Sequence, residues 1–137
     1  MRIKLERMNK AVNMKASNED GAAIHIDGSS IVGGENKGFR PMQLLLAGLG
    51  SCSSIDIISI LKKQKQPLED IRVLVDGERE KDKTPSLFKD IHIHFILQGN
   101  LDEKKVKRAV DLSMNTYCSV TKILEKTAKI TYSFEII

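Results

Sequence analysis

Apolar and polar residues alternate with a period of two in several short stretches of this chain and recur with a helical period in two longer ones. Ile3-Lys4-Leu5-Glu6-Arg7-Met8 and Ala11-Val12-Asn13-Met14-Lys15-Ala16 alternate as half-buried strands do. The pattern therefore predicts strands over 3–8 and 11–16, joined by a turn at Asn9-Lys10. Ser17-Asn18-Glu19-Asp20-Gly21 reads as a second turn, followed by a strand from Ala22 to Asp27. The opening section is thus an antiparallel meander over about 1–27. Gly28 to Gly38 holds four glycines beside Ser29-Ser30. A loop of that composition is either a mobile cover or a segment passing close to another backbone.

A helix is expected from about Pro41 to Gln66, ending before Pro67. Proline suits the first helical position, since its missing N–H has no partner there. Apolar residues crowd this segment, which reads as buried on most sides. Gly48, Gly50 and Ser51 weaken it as a helix, so close approach of another backbone is expected there. Cys52 follows that thin-walled turn, within reach of a neighbouring element or a substrate. Strands are expected over Ile71–Glu78 and Phe88–Leu97, with a charged hairpin loop, Lys81-Asp82-Lys83-Thr84-Pro85, between them. An amphipathic helix follows from about Asp102 to Thr116, with Val106, Ala109, Val110, Ser113 and Tyr117 on one face. Tyr117-Cys118-Ser119-Val120 interrupts it, Thr121–Lys126 reads as a short further helix, and Lys129–Ile136 as the final strand. Strands, long helix, two strands, helix and strand make an α+β domain with helices packed on an antiparallel sheet.

Composition narrows this picture. The 137 residues are enough for one domain with a sizeable core, and 41% hydrophobic with 29% charged residues is ordinary for a globular protein. Met1-Arg2-Ile3-Lys4-Leu5-Glu6-Arg7 has no apolar run behind its charges, so it does not read as a signal peptide. The apolar runs read as too short for a bilayer, and the expected location is cytoplasmic. The net charge is +4. Lys62-Lys63-Gln64-Lys65 and Lys104-Lys105-Val106-Lys107-Arg108 read as solvated helix surface, because no aromatic platform accompanies them for nucleic acid.

Four sets of residues invite chemistry. Gly33-Gly34-Glu35-Asn36-Lys37-Gly38 lacks the Gly-Lys-Ser/Thr ending of a phosphate-binding loop. His92 and His94 share a strand face and His25 lies on another strand, but Ile91, Ile93 and Phe95 take the core-facing positions; the histidines are read as outer-face residues rather than zinc ligands. Ser51, Ser53 and Ser54 do not form the Gly-x-Ser-x-Gly elbow of a serine nucleophile and are read as helix-packing residues. The two cysteines are the strongest candidates. A cytosolic pair is a poor structural disulfide, and two thiols alone do not complete a zinc site. A redox pair and two inert buried thiols both remain open on spacing alone.

The segment Pro41-Met42-Gln43-Leu44-Leu45-Leu46-Ala47-Gly48-Leu49-Gly50-Ser51-Cys52-Ser53, together with Tyr117-Cys118-Ser119-Val120, resembles the OsmC/Ohr family, the osmotically inducible protein C and organic hydroperoxide resistance proteins. The resemblance implies one OsmC-like α+β domain over 1–137: the meander, a glycine-rich loop over 28–40, and a body over 41–137 in which antiparallel sheets wrap two long central helices. It implies an intertwined homodimer and a peroxiredoxin-like thiol peroxidase serving oxidative stress defence. It casts Cys52 as the peroxidatic and Cys118 as the resolving residue, with no cofactor or metal. An organic hydroperoxide would be the substrate and an external dithiol, such as a lipoyl-bearing protein, the reductant. In the family's peroxidases a glutamate just after the helix-starting proline and an N-terminal arginine activate the thiolate. This chain has Met42 and Gln43 after Pro41, and neither Arg7 nor Arg40 falls in a matched pattern. A catalytically weakened dimer binding a small apolar ligand is therefore the alternative.

Overall fold

The computed structural model describes residues 1–137. They form two compact units, Met1–Leu45 and Leu46–Ile137. The first holds an antiparallel meander of β1 (Lys4–Arg7), β2 (Met14–Ser17) and β3 (Ala23–Ile26), paired in that order. The strand expected over 11–16 starts only at Met14. Asn9 is the reason: its side-chain oxygen accepts the N–H groups of Ala11 and Asn13, at 2.9 and 3.2 Å. Arg7 completes the turn by donating to the carbonyls of Ala11, at 2.8 Å, and Lys10. The connection is a wide loop closed by Met8 N–H to Asn13 O at 2.9 Å, not a two-residue hairpin.

The glycine-rich loop is the close-approach kind. A side chain on Gly34 would place its Cβ 1.9 Å from the Gly28 carbonyl oxygen, and one on Gly38 would reach within 2.5 Å of the His25 oxygen. Asp27 gathers the loop from beneath. It is almost fully buried, and its carboxylate accepts the N–H groups of Gly28 (2.8 Å), Glu35 (3.2 Å) and Lys37 (3.1 Å). Those amides, Lys37 foremost, hold the Asp27 carboxyl below the usual carboxylate range.

Helix α1 (Pro41–Lys63) begins in the first unit and runs on into the second. It stops three residues short of the expected end because Lys65 takes the left-handed conformation (φ 54°). Gln66 N–H then bonds Leu61 O and Lys65 N–H bonds Lys62 O, both at 3.0 Å, the paired bonds of a Schellman cap. By length and composition α1 corrects the reading that nothing here could span a bilayer. It has 23 residues, and an 18-residue window within it averages a hydropathy of 1.9. Small residues break its apolar runs without breaking the helix. Leu49, Gly50, Ser53, Ile57 and Leu61 are nevertheless buried at helical spacing, as in a packed core helix.

In the second unit β4 (Asp70–Arg79), β5 (Phe88–Gln98) and β6 (Lys129–Ile136) form a sheet with β5 at its centre. The β4–β5 pair is antiparallel, as expected, whereas β5–β6 is parallel. Parallel neighbours need a long crossover, and the segment carrying α2 (Glu103–Leu112) and α3 (Ser119–Leu124) supplies it. Strict alternation along β5 puts Ile91, Ile93, Phe95 and Leu97 in the core. Leu49, Ile57 and Leu61 of α1 and Val106, Ala109 and Val110 of α2 are buried in the same unit. The chain is mixed α+β, with two sheets and few helices.

The helix expected over 102–116 is α2 followed by a π-helical turn, Ser113–Tyr117. Asp102 caps its start, accepting Lys105 N–H at 3.0 Å. The wide turn corrects the expected face. A regular helix would carry Tyr117 inward above Ser113, but an i→i+5 turn brings residue 118 over 113 instead. Cys118 N–H accordingly bonds Ser113 O at 2.9 Å, Cys118 is buried, and Tyr117 is exposed.

Candidate functional site

Cys52 and Cys118 meet in the second unit. Both are free thiols; Cys52 is half-buried, while Cys118 has no exposed surface. Their sulfurs and a carboxylate oxygen of Asp56 all lie within 4.8 Å of one another. Asp56 follows Cys52 by one turn of α1, so both side chains lie on one helix face. This third member went unnoticed in the sequence, although the i, i+4 spacing from Cys52 carries the signal.

Ser113 ties the arrangement together. Its buried hydroxyl lies 3.2 Å from both the Ser53 carbonyl oxygen and Asp56 Oδ2. Its own carbonyl receives the Cys118 amide, so one residue of the π-helical turn orients both Asp56 and Cys118. Turns of this kind recur at functional sites. Cys118 also caps α3, its Sγ accepting Thr121 N–H at 3.4 Å. Burial pushes the Cys118 thiol up from its ordinary range. Hydrogen bonds from Thr121 offset this in part, and neighbouring Cys52 adds to it.

The turn is pinned to the sheet through Asn115. Its side-chain amide donates to Tyr132 Oη at 3.1 Å, and Tyr132 donates in turn to Asp111 Oδ1 at 3.0 Å. Asp111 also pairs with Lys107 at 2.5 Å, which holds its carboxyl low. Tyr132→Phe removes both bonds of the phenol and is expected to lower the urea-unfolding free energy by about 2 kcal/mol, at roughly 1 kcal/mol for each bond. An unchanged urea midpoint would mean that the turn holds its shape without this tether.

The other sequence candidates lie elsewhere or serve the helix itself. Ser51, Ser53 and Ser54 each donate to a carbonyl one turn back, at 2.8, 2.7 and 2.6 Å. They are packing residues, as expected. Gly50 admits side chains rather than another backbone: a Cβ there would lie 3.1 Å from Val75 Cγ2, and one on Gly48 would meet nothing within 4 Å. His92 and His94 line the outer face of the β4–β5–β6 sheet in a chain of bonds to β6. His92 contacts Thr131 Oγ1 (2.7 Å) and Ser133 Oγ (2.9 Å), and His94 contacts Ser133 Oγ (2.8 Å) and Glu135 Oε1 (3.3 Å). His25 is exposed on β3. The side-chain donor atoms that do converge are those of Cys52, Asp56 and Cys118, all within 4.8 Å of one another.

Gln43, which with Met42 follows Pro41, is a helix cap. Its Oε1 accepts the Arg40 backbone N–H at 3.0 Å, the returning half of a capping box. Arg40 itself donates to Asn36 Oδ1, and Arg7 is held in its turn by the carbonyls of Lys10 and Ala11.

A buried and a half-exposed cysteine, brought together by a long helix and a π-helical turn in an α+β fold, define a class of small cysteine-pair proteins. Within that class the chain belongs to the OsmC-like protein family, whose model matches residues 34–133. It is 42% identical over 118 residues to protein YhfA of Escherichia coli K12, covering 85% of this chain and 84% of YhfA. A hypothetical protein from Aquifex aeolicus has a crystal structure matching 99% of this chain and 95% of its own, at 33% identity and a TM-score of 0.86. The organic hydroperoxide resistance protein OhrB of Bacillus subtilis shares the fold at 20% identity and a TM-score of 0.66, with 98% of each chain covered.

Proposed function

We propose that this protein is a thiol peroxidase acting on organic hydroperoxides, with Cys52 as the peroxidatic and Cys118 as the resolving cysteine. The observation that carries the reading is the asymmetric pair: two sulfurs within 4.8 Å, one half-exposed and the other buried. Cys52 is the one a hydroperoxide can reach. Its thiolate attacks the terminal peroxide oxygen, releases the alcohol after protonation, and becomes a sulfenic acid. The Cys118 sulfur then displaces hydroxide from Cys52 to form a disulfide, and an external dithiol, a lipoyl-bearing protein in this reading, reopens it by exchange. The setting is the cytoplasm and the role defence against oxidative stress.

The working form is a homodimer. Ile55 and Ile58 on the second-unit part of α1 are exposed, at 67% and 42%, and a Cβ on Gly48 would meet only open space. An apolar helix face left bare in one chain supports a second copy as its cover.

The test is a single turnover of reduced protein with one equivalent of cumene hydroperoxide. Two thiols per chain should disappear and one equivalent of alcohol should form. Thiols that stay intact while the peroxide persists would overturn the reading. They would favour the binding alternative, for which the first unit offers an open apolar cleft of about 410 Å³ lined by Ile3, Leu5, Ile24, Ile26 and Leu44.

A further inference from the structure

Asp56 belongs to neither cysteine motif, yet one of its carboxylate oxygens lies within 4.8 Å of both sulfurs. Its position is built: α1 sets it one turn beyond Cys52, and the buried Ser113 hydroxyl holds Oδ2. No salt bridge of the chain includes it. It is therefore a carboxylate without a neutralising cation, and its oxygens are hydrogen-bond acceptors.

The chemistry of the pair needs such an acceptor. Cys118 has no exposed surface, so bulk water cannot take its proton, and only the thiolate attacks a sulfur. We propose that Asp56 is a catalytic residue of disulfide closure, taking the Cys118 thiol proton as that sulfur attacks Cys52 and passing it to the departing group. The bookkeeping closes on the sulfenic acid. The S–H bond of Cys118 breaks with its proton going to Asp56, and the S–S bond forms as the S–O bond of Cys52 breaks. The hydroxide leaves as water with the proton that Asp56 returns. Cys118 is oxidised, the sulfenic sulfur is reduced to the disulfide level, and the carboxylate is regenerated.

With hydroxide as leaving group this rests on the peroxidase reading. The closure step itself does not, because an aryl thiolate can leave in place of hydroxide. The experiment uses that. Reduced full-length protein is mixed with one equivalent of 5,5′-dithiobis(2-nitrobenzoate) in a stopped-flow instrument. The first thionitrobenzoate released reports attack by Cys52, and the second reports closure by Cys118. Cys118→Ser should release one equivalent only.

Asp56→Asn should slow the second release relative to the first by about 100-fold, the lower end of what a positioned acid–base group contributes. Asp56→Glu should recover part of the rate, which a purely packing role for Asp56 would not predict. Asp56→Ala is the second variant, lacking the acceptor without introducing an amide. Either folded variant closing at the wild-type rate overturns the inference. A wild type inert to cumene hydroperoxide, combined with slow closure in Asp56→Asn, removes the peroxidase reading and leaves Asp56 in place. Brisk peroxide turnover with unaltered closure does the reverse.

Discussion

Cys52→Ser is expected to bring hydroperoxide consumption down to the rate without protein, while Cys118→Ser still completes one oxidation per chain. The two substitutions are nearly isosteric, so the contrast comes from the roles of the sulfurs and not from packing. A serine hydroxyl at position 52 is a far weaker nucleophile than a thiolate and cannot be carried to a sulfenic acid. Cys118→Ser leaves the reachable sulfur untouched but removes the thiol that closes on it. Its Cys52 should stop at the sulfenic acid, trapped by dimedone and seen as a single adduct by intact mass. Repeated turnover with an external dithiol should then fall, because the mixed disulfide must be opened without an internal partner. Consumption measured by loss of peroxide and dimedone labelling measured by mass decide the assignment together. Peroxide consumption by Cys52→Ser, with labelling at Cys118, would reverse the two roles.

The strands around the core were legible because burial there follows a simple period. Ile91, Ile93, Phe95 and Leu97 alternate with polar residues, and β5 occupies almost the expected residues. The final strand, Lys129–Ile136, matches its expected bounds. Errors arose where side chains bond backbone instead of filling core. Asn9 captures the amides of Ala11 and Asn13, which alternation alone reads as a strand. The parallel β5–β6 pairing was hidden for another reason: strand direction depends on the path of the crossover, which a local pattern does not carry.

At the site, both cysteines were legible as candidates through two motifs, but their meeting was not. The π-helical turn decides it, because one extra residue per turn replaces Tyr117 by Cys118 on the buried face. A 3.6-residue period extended from Val106 points at Tyr117 instead. Asp56 escaped notice for a related reason. Its meaning depends on Ser113, 57 residues away in sequence, which orients the carboxylate toward the sulfurs.

Oxidation of the pair should make the protein more stable, by about 2–3 kcal/mol over the reduced form. Closing a loop of about 66 residues removes chain entropy from the unfolded state worth roughly 4 kcal/mol at room temperature. Part of that is lost to strain in the folded state, since sulfurs within 4.8 Å in the reduced form must close to a bond of about 2.05 Å. The half-buried Cys52 and the wide turn beneath Cys118 give the movement room, so strain should reduce the gain without cancelling it. Urea unfolding of the oxidised and reduced forms measures the difference. Its denaturant dependence should also be shallower in the oxidised form, whose unfolded chain stays more compact. Cys118→Ser should show no difference between the two conditions. The size matters for function, because a stabilisation of this order lowers the reduction potential of the folded disulfide by about 40–65 mV relative to the unfolded chain. That is small enough for a dithiol of ordinary strength to reopen the bond on every cycle. A gain well beyond about 5 kcal/mol would instead mark a structural cross-link and count against turnover. An oxidised form less stable than the reduced one would mean that the site cannot relax around the bond.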